Sequence, residues 1–140
     1  MSKKVLIVGS GIIGNLWATL LHYKGVRNVV VSEASELRRE ITHKLGKFGY
    51  LIWCNIDLEK WFFLQTILVI ELKFSSYQNI LGFGFRIISP NDLQEMEEES
   101  FDLVIDCTGV PAALEQAISK TKFGATVLVF GCAPMGKSMK

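Results

Sequence analysis

The residues whose types and spacing could do chemistry sit near the start of the chain. Gly9-Ser10-Gly11-Ile12-Ile13-Gly14 has the spacing G-x-G-x-x-G. Alone, such a turn is common. Here it follows an apolar run, Val5-Leu6-Ile7-Val8, and precedes apolar residues at 12, 13, 16, 17, 20 and 21, the spacing of a helix. A second apolar run, Asn28 to Ser32, ends in an acid, Glu33, about 20 residues beyond the turn. Strand, glycine turn, helix, strand and acid together form the context of a dinucleotide-binding fingerprint.

Each part has a physical task. Gly9 permits the tight turn, Gly11 lets backbone approach a pyrophosphate, and Gly14 lets the helix seat closely on the strand. Ser10, Ile12 and Ile13 complete a cradle whose unpaired N–H groups and helix dipole favour phosphate. Glu33 is placed to accept hydrogen bonds from both hydroxyls of an adenosine ribose, which favours NAD over its 2′-phosphorylated counterpart. Arg38 and Arg39 temper that preference, since a nearby arginine can accommodate the extra phosphate. The competing reading is a tight turn in an unrelated α/β fold, with Glu33 merely solvated.

These residues need elements to hold them. Gly25 is expected to close the first helix, and Ser35 to cap a second that carries Leu37, Ile41 and Leu45 and stops at Gly46. Phe85 to Ser89 reads as a third strand, with Pro90 ending it and Asn91-Asp92 opening a short acidic helix. Phe101 to Asp106 reads as a fourth strand, and Pro111 starts a helix with Leu114, Ala117 and Ile118 on its buried side. Gly124 turns the chain into a fifth strand, Thr126 to Phe130. The alternation predicts a doubly wound α/β fold, a five-stranded parallel sheet in the order 3-2-1-4-5.

In that order the crevice at the switch point lies between the first and fourth strands. Thr108 and Gly109, after the fourth strand, are therefore expected to face the glycine turn across the cofactor. Phe130 and Gly131, after the fifth, are expected near its nicotinamide end. Asp106 and Cys107 read as structural, a strand-end carboxylate held by backbone donors and a small buried hydrophobe. His22 and His43 read as helix-surface or packing residues.

Residues 47–82 do not fit the pattern, because a helix-to-strand connection normally takes about 2–6 residues. Joining Leu45-Gly46 directly to Phe83-Gly84 would restore an ordinary length. The stretch is read as an insertion foreign to the fold, such as an untrimmed intron would add, or else as a subdomain.

Composition narrows the partners. Lys and Arg number 15 against 14 Asp and Glu, for a net charge of +1, so no basic excess suggests nucleic acid. Cys54, Cys107 and Cys132 are scattered, with no C-x-x-C pair, which argues against a disulfide framework or a four-thiolate zinc site and fits a reducing cytoplasm. Met1-Ser2-Lys3-Lys4 leads into too short an apolar run for an export signal. The apolar run Trp61 to Ile70, broken by Gln65, falls well short of the ~20 residues of a membrane span.

Taken together, Lys4 to Gly14, Asp102 to Gly109 and Gly124 to Gly131 resemble the cofactor domain of zinc-dependent medium-chain dehydrogenases. The resemblance is greatest to the polyol (sorbitol) and threonine dehydrogenase branch, and it covers nearly all of the chain except residues 47–82. It implies that Ile13 contacts the cofactor diphosphate, Glu33 the adenosine ribose, and Arg38 the neighbourhood of the adenine. It also implies an alcohol- or polyol-oxidising enzyme that takes a small-molecule substrate. Two parts of the family pattern are missing: the domain supplying the catalytic zinc ligands, and a sixth strand. The chain is accordingly expected to show no dehydrogenase turnover alone, and to expose residues 126–130 as an apolar edge open to self-association. The alternatives are a non-catalytic nucleotide-binding module and an inactive remnant.

Overall fold

The computed structural model describes residues 3–53 and 85–132, with only the backbone described for 45–53. Most of the expected insertion lies outside the described residues.

Continuous β-branched runs build the centre. β1 (Lys4–Val8), β2 (Asn28–Ser32), β3 (Arg86–Ile88), β4 (Phe101–Asp106) and β5 (Thr121–Val129) form one sheet, ordered β3-β2-β1-β4-β5. Every neighbouring pair is parallel, with Val8 opposite both Ser32 and Asp106. Because successive side chains alternate, each strand feeds two cores. Leu6, Val8, Val30 and Val104 lie on one face with Leu93 and Ala117; Val5, Ile7, Val29, Val31 and Ile105 lie on the other with Ala18 and Leu21. The helices bring those partners: α1 (Ile12–Tyr23) and α2 (Glu36–Trp53), then α3 (Pro90–Glu95) and α4 (Pro111–Ile118). The strand order, the parallel pairing and the bounds of β2 and β4 match the sequence expectation.

Three expectations are corrected, and α1 adds a detail that the spacing did not address. Gly46 does not stop the second helix, which continues to Trp53. β5 begins at Thr121 rather than Thr126 and passes through Gly124 (φ +77°), with its register to β4 shifted between Phe101 and Leu103. Ile118 is 41% exposed, so the short α4 buries only Leu114 and Ala117. On α1 the bulky Ile12, Ile13, Leu16 and Leu20 face outward, and the buried side carries Gly14, Asn15, Ala18 and Leu21. Small residues at 14 and 18 let this helix approach the sheet closely, and that turns its larger apolar residues away.

α3 shows how local sequence sets an element. Ser89 accepts from the Asp92 N–H through its hydroxyl, and Asp92 accepts from the Ser89 N–H in return, a capping box with Pro90 in the first turn. At the other end, Lys120 is buried and donates to the Gln94 carbonyl (2.9 Å) and the Met96 carbonyl (2.6 Å). Those are carbonyls that a helix C-terminus leaves without internal partners. The sequence offered no sign of this use of a lysine.

Candidate functional site

The glycine turn joins β1 to α1 at the carboxyl end of the sheet. Gly9 has φ +90° and its N–H donates to the Ser32 carbonyl (2.8 Å), so the turn is fastened to the end of β2. A side chain there would be strained by that φ and would also meet the Thr108 methyl at 2.7 Å. Gly14 is needed for a different reason. A Cβ on it would drive into the Gly9 carbonyl oxygen and reach the Ile7 side chain at 3.5 Å. Gly14→Ala is therefore expected to cost at least the ~1–3 kcal/mol of an overpacked core, read as a lower midpoint in urea unfolding; an unchanged midpoint would contradict this close seating.

Gly11 differs from both. It is the N-cap of α1, with an extended backbone (φ −69°, ψ −166°), and the cap carries no side-chain hydrogen bond. A Cβ built on Gly11 meets nothing within 4 Å. The protein itself thus gives no packing reason for glycine at this position, and the space before it is open. Asn15, buried one turn along, donates from Nδ2 to the Ser10 carbonyl (2.8 Å) and braces the turn from behind. Sequence reasoning missed Asn15; a polar residue on the inner side of an otherwise apolar helix was its only signal.

Glu33 follows β2 and is 6% exposed. Its Oε2 accepts from the Ser10 N–H at 2.8 Å and the Ser10 hydroxyl at 3.2 Å, and its Oε1 from the Ser35 N–H at 2.8 Å. The acid singled out from sequence is therefore bonded to the glycine turn itself. Burial pushes the Glu33 carboxyl toward a higher pKa. The Ser35 and Ser10 N–H groups, the Ser10 hydroxyl and the Arg38 charge outweigh it, leaving the pKa below its ordinary 4.5.

The sign of the linkage follows. A carboxylate with a depressed folded-state pKa stabilises the fold above its unfolded value, and that contribution fades as pH falls through the folded one. A carbon-13 NMR titration of the Glu33 carboxyl should give a midpoint below 4.5, with hydrogen-exchange protection of the Ser10 amide lost beneath it. A midpoint above 4.5 would mean that the clasp does not form.

The two arginines have different surroundings. Arg39 donates to the Glu33 carbonyl (2.7 Å) and the Ala34 carbonyl (2.8 Å), pinning the turn between β2 and α2. Arg38 is exposed in the first turn of α2, where its N–H lies 3.4 Å from the Ser35 hydroxyl and its charge acts on Glu33.

Across β1, the loop after β4 faces the turn, as the strand order requires. Thr108 meets Gly9, and Thr108 donates to Asp106 Oδ1 through its N–H (3.0 Å) and its hydroxyl (2.7 Å). Gly109 (φ +66°) and Gly131 pack backbone against backbone, so that a Cβ on either would strike the other loop. Phe130 packs against Trp17 in a tilted pair, with ring centroids 5.4 Å apart. The structure thus gathers Gly9 to Gly14, Glu33, Thr108 and Gly109 at the carboxyl ends of β1, β2 and β4, with Phe130 and Gly131 joining from β5. Burial, then the Asp106 charge, push the Cys107 thiol up to about 11, which leaves it protonated at neutral pH. His22 contacts Arg27, Tyr23 and Phe85, in keeping with a packing role, and His43 is exposed on α2.

A diphosphate fits this site, because the space a Gly11 side chain would fill is open and first-turn N–H groups border it. Among the described residues no group of three or more His, Cys, Asp and Glu could hold a metal ion. Among the same residues no helix is long and apolar enough to cross a membrane.

A 3-2-1-4-5 parallel sheet with helices on both faces, and a glycine turn at its switch point, defines the Rossmann-type class of nucleotide-binding folds. Solved structures share the fold. A zinc-binding dehydrogenase of Sinorhizobium meliloti, with NADP bound, superposes with a TM-score of 0.64 at 20% identity, over 99% of this chain and 32% of its own. The 2R,3R-butanediol dehydrogenase of Bacillus subtilis gives 0.62 at 17% identity, over 99% and 31%.

In sequence the chain is similar to L-threonine 3-dehydrogenases. It is 25% identical to that of Aeromonas salmonicida over 134 residues, and 27% identical to that of Saccharopolyspora erythraea over 131. These matches take in 96% and 94% of the chain but only 30% and 29% of the relatives, so the chain spans under a third of their length. No family model matches.

Proposed function

We propose that the chain is the dinucleotide-binding part of a cytoplasmic alcohol- or polyol-oxidising oxidoreductase, with a preference for NAD(H). One observation carries this reading: Glu33, a sugar-binding type of acceptor, is bonded to the backbone of a turn shaped for a diphosphate. A bound nicotinamide cofactor supplies the hydride chemistry. The residues here bind and orient it. Gly11 and the first-turn N–H groups take the diphosphate, with Ser10, Ile12 and Ile13 around it. Glu33 takes the adenosine ribose and Arg38 borders the adenine. Thr108, Gly109, Phe130 and Gly131 wall the opposite end.

The likeness to L-threonine 3-dehydrogenases supports the polyol and threonine branch of the zinc-dependent medium-chain dehydrogenases. Zinc ligands and substrate contacts are not assigned to this chain, and turnover is not expected from it alone. Residues 47–82 are proposed as an insertion foreign to the sheet.

Calorimetric titration tests these assignments together. NADH should bind saturably and NADPH more weakly, and removing residues 47–82 should leave the NADH affinity in place. Tighter NADPH binding would overturn the preference, binding of neither would overturn the function, and a lost affinity on deletion would make the stretch part of the fold.

A further inference from the structure

Arg39 lies half-buried in the first turn of α2 and holds three successive backbone carbonyls. Its N–H donates to the Ser35 carbonyl (3.0 Å). One guanidinium nitrogen, Nη1, donates to the Glu33 carbonyl (2.7 Å) and the Ala34 carbonyl (2.8 Å). Both N–H bonds of Nη1 are thus taken up by the chain itself. Residues 33–35 are the whole connection between β2 and α2. They carry the Glu33 carboxylate and also the Ser35 N–H that fixes its Oε1. On the strand side, the Glu33 N–H donates to the Ile88 carbonyl (3.0 Å). The direction of the carboxylate therefore depends on a turn that one side chain closes. Arg38 differs: it is exposed, and its guanidinium makes no hydrogen bond to the described residues.

We propose that Arg39 is a positioning residue, which closes the turn 33–35 so that Glu33 meets the adenosine sugar, and which receives no 2′-phosphate itself. This rests on the nucleotide reading above. From sequence the two arginines were alike as candidates for that phosphate, and the hydrogen bonds divide them. Arg38 keeps a guanidinium free for a ligand, whereas Arg39 is committed to the backbone. Its influence on the cofactor runs through Glu33. Hydrogen bonds weaken steeply as they leave the preferred angle, so a loosened turn costs the sugar its acceptor. The diphosphate seat has braces of its own, the Gly9 bond to Ser32 and the Asn15 bond to Ser10. It should outlast a loosened turn.

ADP and 2′,3′-dideoxy-ADP are the probes, because they differ only in the sugar hydroxyls. By calorimetry the unaltered chain should bind ADP about tenfold more tightly. In Arg39→Gln, too short to reach both carbonyls, that gap should shrink to about twofold. The affinity for 2′,3′-dideoxy-ADP should stay within about twofold of the unaltered chain's. A gap that persists in the variant would overturn this assignment alone. An equal loss for both probes, or a variant that no longer folds, would mark Arg39 as merely structural and also overturn it. NADPH supplies the third arm, since its affinity should fall less than that of NADH. A larger fall for NADPH would show Arg39 receiving the phosphate, against the proposal. Equal affinity of the unaltered chain for the two probes, or binding of neither, removes the sugar-binding role of Glu33 and this inference with it.

Discussion

Replacing Glu33 with Gln is expected to weaken NADH binding roughly 10- to 100-fold. The carboxylate does two jobs, and the substitution damages both. It holds the glycine turn through the Ser10 N–H and hydroxyl, and it anchors the next turn through the Ser35 N–H. A hydrogen bond to a charged group is worth about 1.5–3 kcal/mol, and each 1.4 kcal/mol is about a factor of ten in affinity. Gln keeps the shape and one acceptor oxygen, so the fold survives and the lost charge dominates. On the proposed NAD(H) preference the native carboxylate disfavours NADPH, so NADPH should lose less than NADH, and the ratio of the two affinities should narrow. Titration of the variant with both cofactors measures this. An NADH affinity within twofold of the unaltered chain would refute the sugar-binding role of Glu33.

Gly11→Val is the complementary experiment, because it should leave the free protein alone. Gly11 has a backbone conformation that any residue adopts, and a Cβ there meets no protein atom within 4 Å. The unfolding midpoint should therefore be unchanged within error. The same side chain fills the space a diphosphate needs, so NADH affinity should fall by about 100-fold or more. Loss of binding with intact stability separates this glycine from Gly14, whose substitution should damage both. Retained NADH affinity in Gly11→Val would mean that the phosphates bind elsewhere.

Much of this architecture was legible because its signals are local. The buried runs Asn28 to Ser32 and Phe101 to Asp106 carry their own periodicity, and the strand order follows from the handedness of the crossovers. The glycine turn and Glu33 were legible for the same reason, as spacing along one stretch of chain. Part of what escaped depends on contacts distant in sequence. Lys120 acts on the Gln94 and Met96 carbonyls, and nothing in its neighbours' types announces that. Asn15 acts locally, on the Ser10 carbonyl, with its place on an inner helix side as the only signal. The start of β5 at Thr121 was hidden because Gly124 reads as a turn, yet β4 draws the preceding residues into the sheet across a shifted register. The outward side of α1 was not legible, because hydrophobic spacing locates a helix without saying which side must make room for the sheet. Gly46 misled in the opposite way, as glycine is tolerated inside a helix at a cost of about 1 kcal/mol.

The bond between Glu33 and Ser10 has a consequence for how a ligand would be received. Receptors that must fold around their guest spend part of the contact energy on ordering themselves. Here the glycine turn and the proposed sugar acceptor are joined to each other by hydrogen bonds of the chain itself. Oε2 already accepts twice from Ser10 and Oε1 once from Ser35, and each carboxylate oxygen has two lone pairs, so a guest can add one hydroxyl at Oε1 without displacing the serine donors. Encounter and final complex would then differ little in protein shape, and what varies among guests is how long they stay.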